Sequence, residues 1–296
     1  MRDIPWKNSA LFILTCITTL MAGAYWKGID PLAGDFFAGW PYALCLISIL
    51  LVHELGHYFA SRAHNVEASL PYFIPVPPEI FIFGTMGAVI RMRSPIMTRR
   101  ALLDIGAYGP IAGFVVALAV SAIGLSMSEF APEVASGPYR FGSPLGFSFL
   151  ADMIAGPAPE GAELALHPVA VAGWIGMFVT MLNLMPMGQL DGGHIVCALL
   201  GYRRHRLVSE LAVIIMAPVG MIGFMAEFGV LGLSHGLTEY FWPGWLIWAV
   251  LLKVMGLHHP PVYYWEPALD RRRKKVALVS LAIFILTFMP MPISVV

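Results

Sequence analysis

Long apolar runs separated by short charged connections dominate this chain. A helix needs about 20 apolar residues to cross the hydrocarbon core of a bilayer. Runs of that kind lie at about 9–26, 37–61, 101–127, 166–187, 206–232, 240–257 and 276–293, which predicts seven transmembrane helices. Residues 69–100 break the pattern. Four prolines (Pro71, Pro75, Pro77, Pro78) precede Ile80-Phe81-Ile82-Phe83, and Gly84–Gly87 leads on to Ala88-Val89-Ile90-Arg91-Met92-Arg93. Two β-prone runs about a four-residue turn predict a hairpin. It would dip into the membrane between spans two and three and offer an edge strand, with Gly84, Thr85, Met86 and Gly87 as candidate substrate-binding residues.

Composition supports the membrane reading. The chain is 58% hydrophobic and 12% charged, with mean hydropathy +0.75, against roughly 25% charged residues in soluble domains. Eighteen basic and eighteen acidic residues cancel, which gives no sign of a nucleic-acid partner. Cys16, Cys45 and Cys197 lie in apolar runs without paired spacing, so neither a disulfide framework nor a cysteine metal site is expected. Fifteen of the eighteen basic residues fall at the N-terminus or in the connections 2–3, 4–5 and 6–7. By the positive-inside rule the N-terminus is cytosolic and the C-terminus outside. Arg2 and Lys7 before Leu11–Ala24 also fit a cleaved secretory signal, which would leave six spans.

The chemistry concentrates at the end of an uncharged run from Phe36 to Val52, in His53-Glu54-Leu55-Gly56-His57. Histidines four apart share a helix face, so both imidazoles can reach one ion. Glu54 follows His53 by roughly 100° and sits beside that ion, where it can hold a water. Ionisable groups at membrane depth are costly and mark function, so metal is favoured over a polar helix contact. Catalytic zinc takes three protein ligands and leaves one position open. Span four ends in Asn183-Leu184-Met185-Pro186-Met187-Gly188-Gln189-Leu190-Asp191-Gly192-Gly193-His194, where proline and glycines break the helix. Asp191 is the candidate third ligand, with His194 the alternative.

These two segments resemble the signatures of the site-2 protease family of intramembrane zinc metalloproteases: a histidine-glutamate-x-x-histidine helix and an asparagine-x-x-proline-x(4)-aspartate-glycine helix. The resemblance covers about residues 44–200. It extends to Gly84-Thr85-Met86-Gly87-Ala88, Gly109-Pro110-Ile111-Ala112-Gly113 and His167-Pro168. It implies one Zn2+ per chain on His53, His57 and Asp191, Glu54 as base, and Asn183 assisting at the substrate carbonyl. It departs at His194, where many relatives carry arginine. The implied fold is an all-α polytopic membrane protein, a single integral domain over 1–296. Its three-helix catalytic core spans about 37–200, and C-terminal helices follow at 206–293. Residues 128–165 are a Gly/Pro-containing acidic stretch, too short for an added peptide-binding module.

The implied activity is regulated intramembrane proteolysis. It would act on the transmembrane segment of a membrane-anchored protein, in the inner or plasma membrane, with the site toward the cytosol. A zinc transporter and a catalytically inactive escort of membrane proteins are the competing classes. A permease would want ligands facing both ways along a path, and the chain shows no such set. Gly109, Ala112 and Gly113 are expected to pack helices rather than do chemistry. His167 begins span four, about 36 Å of helix from Asp191, and is expected to be structural or gating. No residue selects a substrate or an oligomeric state.

Overall fold

The computed structural model describes residues 5–132, 139–230, 240–260, 262–264 and 268–295. The chain is mostly helical. Among the described residues, four helices are long and apolar enough to cross a membrane: α1 (Pro5–Trp26), α2 (Trp40–Ala63, entered through a short 3-10 turn at Phe36–Gly39), α3 (Arg99–Ser126) and α7 (Tyr202–Glu227). Between and after them come α4 (Leu145–Ile154), α5 (Pro168–Leu184), α6 (Asp191–Leu200), α8 (Gly244–Met255) and α9 (Arg271–Thr287). α5, α8 and α9 coincide with the other three apolar runs but hold 17, 12 and 17 residues. The last residues of the expected fifth span, 231–232, lie outside the described residues, as do 133–138 of the acidic stretch.

Local signals explain the helix boundaries. The Thr98 hydroxyl accepts the amide of Ala101 at 3.1 Å and caps α3. The Asp270 carboxylate accepts the amide of Arg273 at 2.9 Å and caps α9. α5 opens on His167-Pro168, with proline at a position whose amide would be unpaired anyway. It ends at Leu184 because Met185 precedes Pro186 and is held extended, ψ 133°.

The core is a helix stack in which α3 lies against α2, α5 and α6. Close approach depends on small residues. A Cβ on Gly173 would lie 2.7 Å from the Ser121 amide nitrogen, and one on Gly176 would meet Ala117 and Ile49 at 2.8 and 2.9 Å. Trp174, stacked on Phe178, fills the centre and donates its indole N–H to the Gly142 carbonyl at 2.7 Å.

The extended segments differ from the sequence expectation. Among the described residues, three two-stranded antiparallel sheets accompany the helices, so the chain is not purely helical. Between α2 and α3, β1 (Tyr72–Pro75) pairs with β2 (Thr85–Val89), and Ile80–Phe83 belongs to the connection between them. Its phenylalanines explain the difference. Phe83 is buried against Trp174 and Phe178, so that run serves the core instead of a ladder. Gly84, at φ +76°, ends the connection, and Thr85–Gly87 opens β2 rather than forming a turn. Pro75, with no N–H to donate, sits where the register shifts. Elsewhere β3 (Glu129–Pro132) pairs with β5 (Ala162–Ala165). β4 (Tyr139–Phe141) pairs with β6 (Ile293–Val295), tying the chain end to the acidic stretch.

Candidate metal centre

His53 and His57 lie one turn apart on the buried face of α2, with Nε2 atoms 3.0 Å apart. α3 receives them. The Ile105 carbonyl accepts from Nδ1 of His57 at 2.7 Å, which leaves the Nε2 lone pair pointing into the site. Gly109 lies over the His57 ring, and a Cβ on Gly113 would come within 3.0 Å of His53. These two glycines keep the same four-residue interval as the histidines they receive. That interval was the legible signal for their role, and reading them only as helix-packing residues missed it.

The break after α5 brings in the third group. Asp191 is the first residue of α6, and its Oδ2 lies 3.4 Å from Nε2 of His53 and 3.2 Å from Nε2 of His57. All three donor atoms fall within 4.8 Å of one another. A tetrahedral zinc with bonds of about 2.0–2.1 Å spaces its ligands roughly 3.3 Å apart, so the trio fits such an ion. The donor chemistry agrees. Two nitrogens 3.0 Å apart and a half-buried carboxylate are poorly satisfied by protons alone, since one bridging proton serves only one pair. His53, His57 and Asp191 could therefore hold a metal ion.

Asn183, near the end of α5, donates its side-chain amide toward Nε2 of His53 at 3.3 Å. Glu54 is buried beside the histidines, and the backbone amide of Ile90, just past β2, faces its carboxylate. The Gly84–Thr85 end of β2 points elsewhere: a Cβ on Gly84 would press on the Thr18 carbonyl of α1. His167 caps α5, its Nδ1 accepting the Val169 amide at 3.3 Å.

His194, the alternative ligand, turns away from the trio. Its Nδ1 lies 2.7 Å from Nε2 of His259, whose own Nδ1 donates to the Pro260 carbonyl at 2.7 Å. Burial holds His259 below the usual imidazole range, so its Nε2 accepts and His194 donates. The loop between α5 and α6 is held by α7. Gly188, at φ +58°, donates its amide to Ser209 Oγ at 3.0 Å and accepts from His205 Nε2 at 3.0 Å. Arg99 supports α6 from α3 through the carbonyls of Ala198 and Leu199, at 2.5 and 3.2 Å. No spacing rule points to Ser209, His205 or Arg99, because each acts on backbone groups remote in sequence.

Comparison with known proteins agrees with this geometry. The family model of peptidase family M50 matches residues 41–226, which contain every residue of the trio. The chain is 32% identical over 210 residues to the Arabidopsis thaliana protein named "Probable zinc metalloprotease EGY1, chloroplastic", covering 68% of this chain and 36% of that one. It is 31% identical over 191 residues to "Probable zinc metalloprotease EGY2, chloroplastic" of Oryza sativa subsp. indica, covering 63% and 33%. The EGY2 protein of Arabidopsis thaliana is 30% identical over 238 residues, covering 75% and 40%. The chain thus spans between a third and two-fifths of the length of these relatives. No solved structure matches.

Proposed function

Because this chain belongs to peptidase family M50, we propose that it is an intramembrane zinc metalloprotease that cuts a peptide bond in or near the transmembrane segment of a membrane-anchored protein. The observation that carries the proposal is the convergence of His53, His57 and Asp191 from two separated segments onto one point. The relatives' names, which speak of zinc metalloproteases, support the same reading.

His53, His57 and Asp191 would hold the zinc ion, which would supply Lewis-acid polarisation of the scissile carbonyl and an activated water. Glu54, next to His53 on the helix, takes a proton from that water as its oxygen adds to the carbonyl carbon. The same carboxyl delivers the proton to the amine nitrogen as the C–N bond breaks. Asn183 donates its amide N–H to the carbonyl oxygen as negative charge grows there, a contact of about 3 kcal/mol in comparable sites. Its position beside His53 supports that assignment. A helical substrate must first be unwound. The strand that ends beside Glu54 favours an extended peptide laid along β2, with Met86 and Gly87 of the 84–87 segment open to it and Gly84 and Thr85 packed inward.

α5, α8 and α9 complete a seven-span protein whose N-terminus and catalytic water face the cytosol, in the inner or plasma membrane. The distribution of basic residues supports this orientation. The test is cleavage of a single-span reporter by the purified full chain in lipid. Glu54→Gln should retain zinc and slow cleavage at least 100-fold. Undiminished cleavage in that variant removes Glu54 from the mechanism, and a wild type without zinc or cleavage ends the proposal.

A further inference from the structure

A groove of about 560 Å³ runs between α2, α3 and α9. Its volume lies within the range of ligand pockets, roughly 300–1,000 Å³. The walls are largely small and apolar, with Gly56 and Ala60 from α2, Ala112 from α3 and Val276 from α9, and Tyr108 of α3 lies between mouth and depth. Phe59, 63% exposed, forms one rim. The mouth is polar and lies at the ends of all three helices, where α2 finishes and where α3 and α9 begin. Eight residues separate Asp104 at the mouth from Ala112 at depth, a shaft of about 12 Å along the helix axis.

The charges at the mouth are unequal. Asp104 is already satisfied, with His64 Nε2 at 2.7 Å and the Arg273 guanidinium at 2.6 and 3.0 Å. Arg273 also binds Asp270 at 2.5 Å. Arg272 also lines the groove, is exposed, and has no hydrogen-bond or ion-pair partner among the described residues. The mouth therefore presents one uncommitted guanidinium above an apolar shaft flanked by two membrane-length helices.

We propose that this groove is a binding site for one anionic glycerophospholipid, with the phosphate on Arg272 and an acyl chain lying along Ala60, Ala112 and Val276. A soluble anion would need the guanidinium and not the shaft; a neutral lipid would need the shaft and not the guanidinium. Only an anionic lipid uses both, and guanidinium suits phosphate geometrically. A lipid seated there bridges α9 to α2 at Gly56, the residue before His57. The assignment does not depend on the protease reading, because the site is defined by lipid retention.

The experiment reconstitutes the full chain in nanodiscs of phosphatidylglycerol and phosphatidylcholine in equal parts. It then counts lipid carried through detergent purification by native mass spectrometry. Wild type should carry one phosphatidylglycerol per chain. Arg272→Gln should reduce its preference over phosphatidylcholine about fivefold, the worth of one cation at a lipid surface. Lys275→Gln removes the same charge outside the groove and should leave retention unchanged. Ala63→Trp, at an exposed position on the groove wall, should block retention in a protein that still folds. Equal losses in Arg272→Gln and Lys275→Gln would reduce the effect to general attraction and overturn the site. Retention of phosphatidylcholine in equal amount, or full displacement of lipid by inorganic phosphate, would overturn the choice of ligand.

Discussion

Gly109 of α3 sits against the imidazole of His57 so closely that any Cβ there would overlap Nε2, Cε1 and Cδ2 of the ring. The absence of a side chain at 109 is thus a condition for the donor geometry. It is as specific as the histidine itself.

Gly109→Ala should therefore expel or rotate the His57 ring and lower zinc affinity beyond tenfold, the lower end of what a lost orienting contact costs. Gly113→Ala, whose Cβ would stop 3.0 Å from His53 Cβ and Nδ1, needs only a small adjustment and should lose less. Competition with a chromophoric chelator reads both. Equal affinity for Gly109→Ala and wild type would mean that α3 gives way freely.

Zinc per chain in purified protein should be about one for wild type and His194→Ala, and lost in His53→Ala and Asp191→Ala. The expectation for His194 rests on its turn toward His259. Zinc surviving in Asp191→Ala but not in His194→Ala would exchange their roles.

Ser209 and His205 hold both backbone groups of Gly188, three residues before Asp191. Ser209→Ala orphans the Gly188 amide and should cost about 1 kcal/mol of stability, with a several-fold loss of zinc affinity as Asp191 loosens. His205→Asn keeps a side-chain N–H and should retain more affinity than His205→Leu. Wild-type affinity in all three variants would show that α7 does not control the loop.

Asp104 and Arg273 join α3 to α9 across 169 residues of sequence. Arg273→Leu leaves the Asp104 carboxylate with His64 as its remaining partner, so it should destabilise by about 2 kcal/mol. The double variant Arg273→Leu/Asp104→Leu should recover part of that loss. Denaturation in mixed micelles measures it, and a double variant weaker than the sum of the singles would argue against a paired interaction.

The local arithmetic of the chain was enough for the helices and the metal. Apolar run length marked α1, α2, α3 and α7, because burying a backbone in lipid demands helix. The i, i+4 interval of His53 and His57 follows from helical pitch. Pro186 and the glycines around Asp191 announced a break by removing a donor and freeing the backbone. Each of these signals lies within a dozen residues. What the run of β-prone residues at 80–83 would do was not legible locally. Strand and buried connection need the same apolar side chains, and contact with Trp174 and Phe178 decided for the connection. The choice between Asp191 and His194 likewise waited on the fold, which turned one toward α2 and gave the other His259 as partner. The hold of Ser209 and His205 on Gly188 joins residues that share no spacing. Such contacts depend on which helix faces meet, and packing of the whole stack determines that.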